Sequence, residues 1–560
     1  MPFSRRPLFI LTYLAALSSV IAGCELVLGL EPATQQTGGA GGNTLTSSAT
    51  TGGSGGTETT TSTQTMVSCN PGDQMPCYSG PPNTEGVADC KGGMTTCKPD
   101  GSGYEETCAR EIVPTGETCA ASKDENCDGY DCILWARTFG DENAQAPLAV
   151  ESDAAGNIYV LGTFYGAIKF DATELVSAGE RDFFLVKFDP LGNTQWAKQF
   201  GDAGDQTLAS LGVDPSGNIV VGGKLSGTIK LGTDPIQGKD TFVGRLDADG
   251  KHVWSNGFSI TNATNAEVAI QPDSTVIVWT DFVGTANLGG PILSSAVDRK
   301  AVLAALGPAD GAWVWQKQFG ATEGVNGNKV SVSGLDVDFA GNVTFSGDFE
   351  GKKLNLGGAD VLGIQDGAQV YGGLFLARFD QFGTHAWSTF DWSAKKLAGG
   401  PSGTVFVANL WDEFGQQPCS DGKVVKYTTM AQKLWTATFH CPFTNGDVSS
   451  IGVAPSSLGE LAIAFAAGDA GGYPLTFAGS DLDPVGTIDL ILGKLDPDGN
   501  HLWSKRFGVP NESQDFPVIT TAPNGDILLA AQVSGPINVG TGELPVPSGA
   551  KDLLIARFAP

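Results

Sequence analysis

Basic side chains are what this sequence lacks most: 33 Lys and Arg stand against 61 Asp and Glu, a formal net charge of −28. That balance excludes nucleic acid as a partner, because gripping a phosphate backbone takes clustered Lys and Arg that displace counterions. Histidine is scarcer still. His252, His385, His440 and His501 are the only four, which leaves little from which to build a histidine metal centre or a general base. Three of them stand in or beside short turns and read as solvated strand-edge residues. Long apolar runs are missing too, apart from Pro7 to Ile21, which is shorter than the roughly 20 residues of a membrane-crossing helix. What remains is 17 % charged residues, 41 % hydrophobics and 77 glycines, a composition suited to many short strands joined by turns. An all-β protein is expected, and its 560 residues exceed an ordinary single domain unless a repeat-built body fills most of the chain.

The first segment, residues 1–23, has Arg5 and Arg6 ahead of the apolar run and has the shape of a secretory leader. The run ends in Ile21, Ala22, Gly23 and Cys24, which resembles the lipobox of bacterial lipoprotein signal peptides. The resemblance implies that Cys24 is lipidated and becomes the new N-terminus, making a membrane the first partner and the cell envelope the address, at the outer membrane or cell surface. Residues 24–66 follow as a tether. From Thr37 to Thr65 they are almost entirely Gly, Ser and Thr, too poor in apolar side chains to offset the entropy of ordering.

Residues 67–132 hold eight of the 11 cysteines, Cys69, Cys77, Cys90, Cys97, Cys108, Cys119, Cys127 and Cys132. In an exported chain such packing implies a disulfide-stapled module, with the pairing order left open. Within it, Asp124, Asn126, Asp128 and Gly129 match the opening of a calcium loop, where alternate oxygen-bearing side chains point inward and Gly permits the sharp turn. Trp135 stands where the closing Glu belongs, so calcium competes with a plain acidic turn; the candidate ligands are Asp124, Asn126, Asp128 and Asp131. The segment Glu117 to Cys132 resembles a cysteine-rich, metal-binding motif of secreted proteins from myxobacteria and related bacteria.

From Ile133 to Pro560 one pattern recurs about every 60 residues, anchored on Trp135, Trp196, Trp254, Trp315, Trp387, Trp435 and Trp503. LDPDGNHLWSKRFG (Leu495 to Gly508) shows it as strand, tight turn and strand. A full unit reads as four strands: Leu208 to Asp214 (a), Asn218 to Leu225 (b), Asp240 to Asp247 (c) and Lys251 to Phe258 (d). The Asp and Gly of the turns have a local cause, Asp bonding its own backbone and Gly accepting positive φ. A period of this length with four strands is a propeller signature. Trp135 lies on a d strand with no a, b or c before it, while the last unit has a near Val518, b at Ile527 to Ala531 and c at Leu553 to Phe558. Leu134 to Phe139 is therefore expected to close a seven-bladed ring as an N-terminal clasp. Val213 to Gly227 and Asp182 to Gly201 resemble the bacterial seven-bladed β-propeller repeat family, which implies architecture and leaves function open.

Near-opposite positions on strands c and d of the fifth unit predict a Cys419–Cys441 disulfide. The a–b and c–d turns are short and share one face, so the long b–c and d–a connections on the other face are the expected recognition surface. Those b–c segments are Tyr165 to Arg181, Ser226 to Lys239, Gly284 to Arg299, Gly351 to Tyr371, Trp411 to Gly422, Gly468 to Asp489 and Ser534 to Lys551. None nominates a catalytic residue. The expected function is a non-catalytic, envelope-anchored scaffold for a protein or glycan. One competing reading is a propeller enzyme acting on extracellular glycans, since the turns resemble the Asp-box of sialidases. Another is an envelope-assembly scaffold, since their D-x-x-G-x-x-x-W spacing resembles quinoprotein repeats. No catalytic residue and no cofactor beyond calcium is expected.

Overall fold

The computed structural model describes residues 69–560, apart from 82–83, 88–89, 116–126, 128–131, 203–208, 226, 325–326, 367–368, 392, 412–417, 441–450, 469–474, 479, 484 and 547–550. Among the described residues there is no α-helix, and a single 3-10 turn at Pro401–Gly403 interrupts the strands. The protein is all-β. No described helix is long and apolar enough to cross a membrane.

The N-terminal part is held by covalent staples. Gln74–Cys77 pairs antiparallel with Gly93–Thr96, too small a sheet to be stable alone. Disulfides Cys69–Cys97, Cys77–Cys108 and Cys90–Cys127 overlap in sequence around it, with Cα separations of 5.9, 5.7 and 6.0 Å. Each closes a loop of about 30 residues, which in the chain-entropy picture removes roughly 3–4 kcal/mol of unfolded-state freedom. Cys132 is disulfide-bonded as well. Three bridges in so short a stretch point to an oxidising, extracytoplasmic setting.

From Ile133 onward four-stranded antiparallel units follow one another. The first is Gln145–Ser152, Ile158–Phe164, Asp182–Phe188 and Thr194–Phe200. The second, Ala209–Val213, Ile219–Lys224, Thr241–Leu246 and His252–Ile260, keeps the expected strands to within two residues at each end. The third and fourth run Ala266–Ile270 to Trp313–Phe319 and Lys329–Val337 to His385–Phe390. The fifth and sixth run Lys396–Gly399 to Lys433–His440 and Ile451–Pro455 to His501–Phe507. Units two to four are also hydrogen-bonded at their edges, through Ser259–Ile260 and Arg299. The seventh takes Gln514–Thr521, Ile527–Val533 and Asp552–Phe558, and its fourth strand is Ile133–Phe139 from the other end of the sequence.

Strands b and c are apolar runs rather than alternating patterns because both faces of each sheet are covered. Ile158–Phe164, Leu461–Gly468, Ile527–Val533 and Asp552–Phe558 are buried throughout. The core lies between units. Tyr159, Leu161 and Leu185 of the first pack on Leu211, Ile219 and Phe242 of the second. Similar layers join each later pair. Phe139, Leu553 and Ile555 of the seventh pack on Phe164, Phe184 and Phe188 of the first.

Candidate functional site

The short turns carry the recurring motif, and their geometry assigns its residues. At Asp496, Oδ1 accepts from the backbone N of Asp498 (2.9 Å) and Asn500 (2.8 Å), and Oδ2 accepts from Asn500 Nδ2 (2.8 Å). The same set of bonds recurs at Asp189, Asp153, Asp214 and Asp338. These carboxylates are spent on their own loops, so the turn aspartates shape backbone.

The glycine has a second cause. Gly499 has φ +87 and lies 2.7 Å, measured from a built Cβ, from the ring of Trp435 in the preceding unit. Gly192, Gly250, Gly311 and Gly383 meet Trp135, Trp196, Trp254 and Trp315 in the same way. The indole Nε1 of Trp135, Trp254, Trp387 and Trp435 donates to the next unit's turn at Pro190 (3.2 Å), Pro308 (3.0 Å), Thr429 (2.7 Å) and Pro497 (2.9 Å). Trp and Gly therefore recur together because each copy's Trp seats on the next copy's turn. A bulge one residue before each Trp aims the ring, as between Lys494 and Leu495 of the partner strand. The Gly that ends the motif is also explained: a Cβ at Gly140, Gly201 or Gly508 would collide with the carboxylate of Asp552, Asp182 or Asp489, which opens the adjacent strand c.

The long connections differ from expectation. Most b–c segments are two-stranded ribbons, such as Ala167–Phe170 with Thr173–Val176 and Ile537–Asn538 with Glu543–Leu544. Ile168, Phe170 and Leu175 are buried, as are Ile229, Leu231 and Ile236 in the second unit. The alternating apolar positions within these Gly-rich stretches were the available signal. These ribbons therefore contribute apolar side chains to the core.

His252, His385 and His501 begin d strands, and each Nε2 lies 3.0–3.1 Å from the Oγ of the serine three residues on, Ser255, Ser388 or Ser504. The expectation of solvated edge residues needs correction for two of them, since His385 and His501 are partly buried and burial lowers their pKa. Recurrence of one His–Ser pair at equivalent points of three units marks it as a device of the repeat, pinning the bulged strand. His440 and Cys419 lie on described backbone, where Asp421 pairs with His440; their side chains, and all of Cys441, fall outside the described residues. So do Asp124, Asn126, Asp128 and Asp131, together with Cys119 and Cys24. Among the described residues no group of three or more His, Cys, Asp or Glu is placed to hold a metal.

Sequence reasoning passed over two half-buried carboxylates. Glu151 and Asp336 lie on the a strands of the first and fourth units. Burial raises the Glu151 carboxyl to about 8, with Asp336 adding repulsion, and burial raises Asp336 to about 6. At the meeting of the seventh and first units, Asp552 Oδ1 and Gln145 Oε1 are buried without a hydrogen-bond partner. Both crowd the same point beside Gly140.

No family model matches the chain. A curated relative, the regulatory protein FlaEY of Caulobacter vibrioides, is 24% identical over 263 residues, covering 45% of this chain and 25% of that protein. An uncharacterized WD repeat-containing protein of Acanthamoeba polyphaga mimivirus is 28% identical over 158 residues, 24% of this chain and 11% of that protein. The match thus spans a quarter or less of the length of these relatives. Similar solved structures include the quinohemoprotein alcohol dehydrogenase of Comamonas testosteroni, 11% identical with a TM-score of 0.35, covering 80% of this chain and 78% of that one. An ulvan lyase is 10% identical with a TM-score of 0.37, covering 70% and 93%. These likenesses are too remote to carry chemistry across. The strand pairing and the WD-repeat relative together define a propeller-like, all-β scaffold.

Proposed function

We propose that the chain is an exported, lipid-anchored binding scaffold: a closed seven-bladed β-propeller, carried on a disulfide-stapled module and a flexible tether, that holds a protein or glycan partner without chemical turnover. The observation that carries this reading is the repetition of one inter-unit contact at the seam. Trp135 seats on Gly192 as Trp435 seats on Gly499, and Arg557 of the last unit donates to Pro190 O of the first. The a strands support it. Ser152 Oγ donates to Thr521 O (3.2 Å), and Thr521 Oγ1 to Pro455 O (2.6 Å), linking units one, seven and six. A ring closed in this way leaves only bulged outer strands as edges, which suits a monomeric platform.

The non-catalytic reading is supported by how the polar residues are used: the turn aspartates are engaged by backbone N–H groups, the turn asparagine and neighbouring side chains, and the His–Ser pairs repeat as packing. Two experiments test the proposal. Deleting residues 133–139 should abolish cooperative unfolding, while moving them to follow Pro560 through a short turn should restore it; a deletion variant that melts like the parent refutes closure. Palmitate labelling in a bacterial host should mark the wild-type chain and not Cys24→Ser, and equal labelling refutes the anchor.

A further inference from the structure

The short-turn face is not uniform. Its tips hold small or polar residues over much of its extent, such as Ala155, Ser216, Asp249, Asp273 and Asn524, with Leu191 of the first unit an isolated apolar exception. Across units four to six they instead hold Phe339, Phe382, Met430 and Leu458, which are 85%, 73%, 72% and 77% exposed. These tips touch one another. Gln271 Nε2 donates to both Gly341 O (2.6 Å) and Gln381 O (3.3 Å), tying the turns of Phe339 and Phe382. Gly403 lies against Asp338 and Thr429, and Gly459 against Pro401, which continues the contact to the turns of Met430 and Leu458.

Between them is a cavity of about 230 Å³ bounded by Phe339, Arg378, Gly400, Ser402 and Thr429. Gly400 stands where the a–b turns of the first, second and fourth units place Asp153, Asp214 and Asp338, and a side chain there would meet the Phe406 ring and Thr404 Oγ1. Phe339 lines this cavity, and Phe382, Met430 and Leu458 stand on the turns joined to it; single exposed apolar residues are ordinary, but four on contacting turns beside a cavity mark an interaction surface.

Charge narrows the occupant. Three cations at these turns are buried against neighbours: Arg378 on Asp338 and Gly403 O, Lys426 on Pro497 O, and Lys494 on Glu460. The turns of this sector carry acidic residues, with Asp498 exposed and Asp380 and Asp496 half-buried, on a chain of net charge −28. An anionic bilayer would be repelled by such a surface, whereas a cationic polypeptide would be steered to it. We propose that the short-turn face of units four to six docks a polypeptide segment that presents apolar side chains beside Lys or Arg. This rests on the scaffold reading and relocates its partner from the long-connection face.

The test is binding of the purified full chain to short synthetic peptides mixing Leu or Phe with Lys, to the same peptides with Glu for Lys, and to phosphatidylcholine–phosphatidylglycerol vesicles. The Lys peptides should bind, more weakly at high salt. A Phe339→Ser/Phe382→Ser/Met430→Ser/Leu458→Ser variant should lose roughly tenfold or more in affinity. Phe339→Ser alone should lose part of it, and unchanged melting would show that the fold is intact. Equal binding of the Glu peptides, undiminished binding by a folded quadruple variant, or binding of vesicles in place of peptides would overturn the proposal. Because the closure and palmitate experiments do not involve these four residues, the docking surface can fail while the scaffold reading stands.

Discussion

Replacing Asp552 by Asn should stabilise the protein at neutral pH and do little in acid. Asp552 Oδ1 and Gln145 Oε1 are both buried acceptors with no donor, an arrangement that favours the protonated Asp552 carboxyl, whose O–H can then donate to Gln145 Oε1. Burial raises the Asp552 carboxyl from the ordinary 3.8 to about 6, and the neighbouring charge of Asp141 adds to the effect. Burial also works against ionisation of Asp141, yet N–H donors from Asn143, Gln145 and Ala167 outweigh it and hold its pKa below the usual range. A carboxyl raised in the folded state costs nothing below about pH 3.8, destabilises progressively as pH climbs toward 6, and exerts its full penalty above that. At about 1.4 kcal/mol per pKa unit the full shift corresponds to about 3 kcal/mol; solvent screening at the seam reduces this to roughly 1–2 kcal/mol. Asn keeps the shape and supplies an N–H to Gln145 Oε1, so urea unfolding should show a gain of roughly that size at about pH 7.5 and close to none at about pH 4. A gain equal at both pH values, or absent at the higher one, would refute the shared-proton account.

Gly499→Ala should cost roughly 2–3 kcal/mol in the same assay, since it combines positive φ with intrusion on the Trp435 ring. Gly525→Ala, also at positive φ but meeting only Pro560 Cβ at 3.3 Å, should cost about 1 kcal/mol; equal losses would remove the ring contact from the explanation. Asp496→Ala frees two backbone N–H groups and should cost about 1 kcal/mol, read as a lower urea midpoint. Cys77→Ser with Cys108→Ser should make residues 69–115 protease-sensitive under oxidising conditions, from a loss of roughly 2–4 kcal/mol, and unchanged proteolysis would count against a structural role for that bridge.

How much was legible follows from the range of the interactions involved. The unit of four strands could be read because its turns are local: Asp496, Gly499 and Asn500 satisfy one another within five residues, so their spacing survives in the sequence. The pairing of Ile133–Phe139 with Asp552–Phe558 joins opposite ends of the sequence, yet counting strands exposed it, because a unit lacking one strand must borrow it. The strand pairs within the long connections were not read from the sequence, for the opposite reason. Their apolar residues, such as Ile229 and Ile236, pair across a handful of residues but are buried by strands of their own and neighbouring units, and short Gly-rich stretches show too few positions for a period to emerge.

The Trp and Gly of LDPDGNHLWSKRFG show where such reading stops. Within one copy they look like members of one site, yet Trp503 lies in the core joining the last two units, and Gly499 serves the Trp of the preceding copy. A repeated motif can therefore be self-complementary across copies, and its recurrence reports an interface between repeats before it reports a ligand. The informative positions for function are then those where the repeat is broken: Phe339, Phe382, Met430 and Leu458 at tips that are small or polar in most other turns. Nothing in the packing between units requires large apolar side chains there. They are exposed at a cost to solubility that packing does not repay, which is why the search for a partner belongs on that sector.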